Sequence, residues 1–376
     1  MTVSTLRLLA LDTSHLIELI RNKNAASTLR RYEAETFERC LLEQGFVLFL
    51  SLHHLVELLS YRGENVVEQS LRYIRTLPVV AWIAPAGTAG VGAITDLMAC
   101  EVKSALHDPA SDVFGVRDRT APVAIRYGSG EEALAGLDTA PTTHLQEFRR
   151  QAERHRSIVA ISRTMDFGVS GTRIVDLARR PIRSQVEADQ ILNRMQTQLT
   201  EAVKSRGDKK ISDPNVVASD FYRSVRDSAA AFYNTAANPV LTFLKAMGLD
   251  PSEITETMTV GNATDIIQFR QHLRIASEII GISYDTLKTS VRPEQIPSWI
   301  IQQGLARHHQ KLNRHDGSEL ADNFLVCLAP YVETCTVDKR TRENVTRAGR
   351  FITEFKELTS SVTKAARYTE VLPPRS

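Results

Sequence analysis

Leu6-Arg7-Leu8-Leu9-Ala10-Leu11 runs into Asp12-Thr13-Ser14, and Phe46-Val47-Leu48-Phe49-Leu50 runs into Ser51. Both apolar runs are short and nearly continuous, the pattern of strands buried on both faces of a parallel sheet. Between them lie two stretches with helical spacing. Residues 14–22 carry Leu16, Ile17, Leu19 and Ile20 on one face, and residues 25–44 end at Gly45, a suitable C-terminal stop. Strand, helices and a second buried strand make a βαβ pattern. A carboxylate at the end of a buried strand is costly unless a cation or donors meet it. Asp12 also suits the cap of the helix that follows.

From the second strand the chain enters Leu52-His53-His54-Leu55-Val56-Glu57-Leu58-Leu59, a helix with Glu57 among apolar residues. Neighbouring histidines on a helix point about 100° apart, so His53 and His54 read as surface or supporting groups rather than ligands of one ion. Residues 66–75 predict a helix, 77–83 a third strand and 91–106 another helix. Residues 108–142, rich in Asp, Gly, Pro and Thr, read as an irregular connection, and Gly128/Gly130 as a turn. Helical signals then dominate at 144–161, 184–204, 217–237, 239–247, 264–280 and 284–289. Basic residues there, such as Arg149-Arg150, Lys204 and Lys209-Lys210, alternate with acids and read as solvated faces or a basic groove. Past Trp299 a helix over 298–312 precedes a helix opened by Glu319 and Asp322. The strand Val332-Glu333-Thr334-Cys335-Thr336-Val337 then ends on Asp338-Lys339-Arg340, and a helix over 342–359 follows.

The chain has 376 residues, enough for two lobes or one domain with a large insertion. A net charge of +2 gives no whole-chain attraction to nucleic acid, though a local basic surface stays open. The four cysteines form no CxxC pair, against a zinc knuckle or a disulfide framework. No apolar run approaches the ~18 residues that span a bilayer. With no basic-then-apolar leader, the expectation is a cytoplasmic protein without a membrane partner.

Parallel sheets place their sites at the carboxyl ends of the strands. Asp12 and Asp338 follow strands, Glu57 lies on the helix after the second strand, and Asp322 on the helix before the last. On adjacent parallel strands these four acids face one cleft. They cannot all ionise there unless cations neutralise them, and all-oxygen donors suit Mg²⁺ or Mn²⁺. Such a centre suits phosphodiester hydrolysis, and no Cys/His or Gly-x-Ser-x-Gly nucleophile signature competes with it.

Leu11-Asp12-Thr13-Ser14-His15-Leu16-Ile17 resembles the first motif of PIN-domain nucleases. Ser51 to Glu57 resembles their second, Asp322-Asn323-Phe324-Leu325-Val326-Cys327-Leu328-Ala329 their third, and Thr336-Val337-Asp338 their fourth. The resemblance implies an α/β fold, a PIN-like parallel sheet flanked by helices and split by a large mostly α-helical insertion. It divides the chain into a PIN-like first part at 1–105, an insertion at 106–297, a second part at 298–345 and a C-terminal helix and tail at 346–376. It also implies that Asp12, Glu57, Asp322 and Asp338 are metal ligands for Mg²⁺ or Mn²⁺, supported by Ser14 and Thr336. Glu319, three residues before Asp322 on the same helix face, is an alternative or additional ligand. Arg307, Lys311, Arg314, Lys339 and Arg340 are expected at the phosphates of a nucleic acid, RNA above DNA. A protein regulator and a homodimer are expected partners. The competing expectation is a non-catalytic PIN scaffold with a regulatory or protein-interaction role.

Overall fold

Aliphatic runs of four or five residues build the centre of a six-stranded sheet, seen in a computed structural model. It describes residues 6–60, 64–137, 170–179, 185–233, 248–309 and 319–372, with isolated positions between 138 and 247. The strands are β1 (Arg7–Ala10), β2 (Phe46–Leu50), β3 (Val80–Ile83), β4 (Ile125–Gly128), β5 (Thr334–Val337) and β6 (Val362–Lys364). Their order is β4-β3-β2-β1-β5-β6. All neighbours pair in parallel except β3 and β4. β1 therefore lies between β2 and β5, and the carboxyl ends of these three strands are adjacent. The α/β class and the mostly parallel sheet match the expectation.

Successive strand residues point to opposite faces, and both faces are covered. Leu8, Ala10, Val47, Phe49, Ala81 and Ile83 enter one apolar core, shared with Ile301, Leu305 and Val345. Leu9, Leu11, Phe46, Leu48, Leu50 and Trp82 enter the other, with Leu16, Leu19, Phe37 and Leu55. The second core is covered by α1 (Thr13–Lys23), α2 (Thr28–Glu43) and α3 (Leu52–Leu59).

Over its described residues, 108–137, the stretch expected as an irregular connection holds two helices and a strand. Asp112 accepts from Gly115 N at 2.8 Å and caps a helix over Val113–Ala124. Pro122 stands in its last turn, and the chain leaves as β4, antiparallel to β3. Gly130 then opens a one-turn helix so close to the helix Glu64–Thr76 that a Cβ would lie 1.7 Å from the Ile74 carbonyl oxygen. The third strand is shorter than 77–83 and begins at Val80, two residues after Pro78. The last helix is not continuous either. It runs Lys339–Ala348, breaks at Gly349, resumes at Thr353–Leu358 and gives way to β6.

Two compact units emerge, one of residues 1–152, 273–310 and 320–376, the other of 153–272 and 311–319. Residues 113–133 and 284–297, assigned by sequence to the helical insertion, belong with the sheet. Val113, Ala124, Ile301 and Leu305 are buried in its core. The second unit holds the helices Gln185–Arg206 and Pro214–Tyr233, joined by Leu199, Val203, Ala218 and Tyr222. The helices expected over 144–161 and 239–247 lie mostly outside the described residues. Among the described residues no helix is long and apolar enough to cross a membrane.

Candidate functional site

The chain turns after Leu11, and Asp12 caps α1, its Oδ1 accepting from Ser14 N at 2.7 Å. The same aspartate is tied to β5 through its backbone, which donates to Thr336 Oγ1 at 2.8 Å. Thr336 is fully buried, and the buried His15 stands 3.3 Å from that hydroxyl through Nδ1. Two elements far apart in sequence thus fix where the carboxylate begins.

β2 reaches the same point through His54. Its Nδ1 accepts from Ser51 N at 3.0 Å, so Nε2 carries the proton and donates to Leu11 O at 3.0 Å. Burial lowers the His54 pKa, which keeps the ring neutral and the tautomer fixed. His54 is a buried brace between two strand ends; only His53 keeps partial exposure, tilted 4.2 Å from the Phe324 ring.

One helical turn past the brace, Glu57 meets Asp12. Burial lifts its pKa to about 7, a hydrogen bond from the Thr13 side chain holds it down, and the Asp12 charge raises it again. Burial also pushes Asp322 well above the usual carboxylate range. The charges of Asp12, Asp338 and Glu57 add to that push, and Arg340 opposes it. The four acids expected to share a site therefore feel one another. Asp338 caps the last long helix, its Oδ1 accepting from Thr341 N at 2.6 Å.

Arg340 spans two of these acids. Its Nη2 lies 3.4 Å from Asp322 Oδ2 and its Nε 3.9 Å from Asp338 Oδ2. Expected at a phosphate, it stands here as a counter-ion within the acid group. Lys339 points to Glu343 at 3.8 Å. Glu319 begins the helix that carries Asp322. Arg307 is exposed in the last turn of the helix Pro297–His308, and Lys311 and Arg314 lie outside the described residues.

The donor set fits a hard divalent cation. It offers carboxylate oxygens, and two of the acids are pushed toward holding protons, chiefly by burial and then by neighbouring carboxylate charges. It is not a preformed cage: among the described residues, no three His, Cys, Asp or Glu side chains stand closed around one point. Thr13, His15 and His54 belong to the site but were not singled out as site residues. A faint signal existed for His54, which stands at the third position after the helix-capping Ser51 and closes a capping box with it.

No family model, curated protein or solved structure matches this chain.

Proposed function

We propose that this chain is a metal-dependent nuclease of PIN-like type, hydrolysing phosphodiester bonds, with RNA the preferred substrate. One observation carries the reading. Acids from four separate elements lie about the ends of three adjacent parallel strands, and the charges of Asp12, Asp338 and Glu57 all act on Asp322. A bound Mg²⁺ or Mn²⁺ would activate water and steady the leaving oxygen.

The chain's own residues prepare that chemistry. Ser14 N–H and Thr336 set the Asp12 carboxylate and its backbone. His54 locks the ends of β1 and β2 together, so Glu57 is presented from a fixed helix. Glu57, with a pKa of about 7, changes charge near neutral pH and serves as a ligand only when ionised. Arg340 restrains Asp322 and Asp338 in the resting state.

The test is cleavage of RNA and of single-stranded DNA in Mn²⁺ or Mg²⁺, beside an Asp12→Asn/Asp322→Asn double variant. The reading expects cleavage by the wild type alone, with RNA the faster substrate. Equal cleavage by both proteins, or none by either, overturns it. The second reading, a non-catalytic scaffold bound to a protein regulator, is favoured by the open donor set and the arginine lying across it. It expects intact folding and no metal-dependent cleavage.

A further inference from the structure

Among the described residues, Glu101 is the acid with no exposure at all. It lies on the helix Ile94–His107, away from the acid group. The sheet unit is assembled from three stretches of sequence, and Glu101, in the first, takes its donors from the other two. Ser298 N donates to Oε2 at 3.1 Å, the Ser298 hydroxyl donates to the same oxygen, and Tyr331 OH donates to Oε1 at 2.7 Å. Ser298 is the second residue of the helix Pro297–His308, where backbone N–H groups find no partner within the helix. The carboxyl therefore closes that helix end from another helix. Tyr331 ends the short turn between the Asp322 helix and β5. Gln295 extends the joint, its Nε2 donating to Pro109 O at 2.9 Å and to Ser111 O at 3.0 Å.

Among the described residues, the hydrogen-bond partners of this carboxyl are two hydroxyls and a backbone N–H, none of them a cation. From the helix Val113–Ala124, Thr120 bonds Tyr331, while Arg119 turns to Asp108 at 3.2 Å. From the helix Pro297–His308, Gln302 turns to Met98 Sδ at 3.6 Å. The stretch past Asp322 brings the Cys327 thiol and Tyr331, both pushed up by burial and by the Glu101 charge. On its own helix, Asp96 and Lys103 act on the half-buried Cys100. Burial lifts the Glu101 pKa from 4.5 to about 7, against the Ser298 and Tyr331 donors that hold it down.

The Ser298 hydroxyl lets this joint close in two protonation states. It donates to an ionised Glu101. When Glu101 is protonated, the acid O–H donates to Ser298 Oγ, and the bond reverses rather than breaks. Only the ionised state leaves a charge in the core with no cation against it.

We propose that Glu101 is a proton-operated latch: protonated, it holds residues 298–300 and 331–337 onto the helix that carries it, and ionised, it admits water to the joint and releases them. The latch goes beyond the nuclease reading and does not depend on it. A carboxyl whose pKa is raised in the closed joint stabilises that joint fully below about pH 4.5, and the stabilisation is lost as pH rises through about 7. Opening should grow about tenfold per pH unit between about pH 5 and pH 7 and level off above that.

The test is amide hydrogen exchange of the full chain from about pH 5 to pH 8, corrected for the intrinsic pH dependence of exchange, in wild type and Glu101→Gln. Glutamine keeps the shape, and its NH₂ donates to Ser298 Oγ as the protonated acid does. Over 298–300 and 331–337 the wild type is expected to open roughly thirtyfold more at about pH 7 than at about pH 5, and Glu101→Gln to change by less than about twofold. The amides of β1 and β2 should stay protected throughout. Equal pH dependence in the two proteins overturns the latch. So does a joint that exchanges only together with β1 and β2, since that is unfolding of the whole unit. The infrared carbonyl band of a protonated carboxyl, taken as wild type minus Glu101→Gln, should titrate near pH 7, and its absence at about pH 6 also overturns the latch. Tyr331→Phe removes a donor that favours the ionised form and is expected to move the opening to higher pH. Should Glu101→Gln fail to fold, an unmoved opening in Tyr331→Phe overturns the latch.

Discussion

Lowering the pH should drive the metal off this protein, and Glu57 sets the scale. Burial lifts its pKa from 4.5 to about 7, so the folded chain holds a proton there that the unfolded chain has released. At about pH 6 the side chain is roughly nine-tenths protonated, and a cation must displace that proton to gain the carboxylate. Below about pH 7 the apparent Mn²⁺ affinity should therefore fall about tenfold per pH unit from Glu57 alone, or ~1.4 kcal/mol per unit. Asp322, also raised, steepens the fall. In the metal-free protein the sign is set by the same shift. An acid with a raised folded pKa contributes stability below its unfolded pKa and loses it as pH rises through the folded value. Between about pH 4.5 and pH 7 the metal-free chain should lose on the order of 1–3 kcal/mol, a range reduced because Glu57 is partly exposed. The assay is calorimetric titration with Mn²⁺ at about pH 6 in two buffers of different ionisation enthalpy, which counts released protons. Wild type should release about one proton or more, and Glu57→Gln about one fewer, with weaker binding. Mn²⁺ binding that is tight, pH-independent and proton-neutral would refute this reasoning.

Arg340→Gln removes the cation that lies against Asp322 and Asp338. The metal-free melting temperature should drop while Mn²⁺ affinity rises several-fold; unchanged or weaker Mn²⁺ binding in calorimetry counts against the counter-ion role. Glu101, fully buried, accepts from Ser298 N at 3.1 Å, from the Ser298 hydroxyl and from Tyr331 OH at 2.7 Å. Glu101→Ala should cost about 2–4 kcal/mol in urea unfolding by stranding those donors and leaving a cavity, and a loss within experimental error contradicts a structural role. Thr336→Val takes away the acceptor of Asp12 N. It should cost about 1–3 kcal/mol and weaken Mn²⁺ binding, measurable by thermal shift with and without the ion.

The centre of the sheet was legible because Leu8 to Leu11 and Phe46 to Leu50 are buried on both faces, and such strands advertise themselves as apolar runs. β4 and β6 were not. Ile125-Arg126-Tyr127-Gly128 is half exposed and Val362-Thr363-Lys364 exposes two of its three residues, so each exists by pairing with a strand distant in sequence. The acids were expected from their positions near strand ends; the charges of Asp12, Asp338 and Glu57 act on Asp322, and among the described residues no three acids close around one point. The supports of the acids could not be read that way. Thr336 on Asp12, His54 on Leu11 and Arg340 on Asp322 are contacts between elements, and local sequence carries no trace of a partner on another strand. The helical block was drawn too wide for the same reason. The helix at 113–124 looks alike whether it covers a sheet or another helix, and burial of Val113 and Ala124 in the sheet core decides it.

Diffraction from crystals soaked in Mn²⁺, collected for its anomalous signal, tests the central claim most directly. The account predicts an anomalous peak among the carboxylates of Asp12, Glu57, Asp322 and Asp338, with Arg340 withdrawn from Asp322. A saturating soak that leaves those carboxylates without a peak and Arg340 still paired would contradict it.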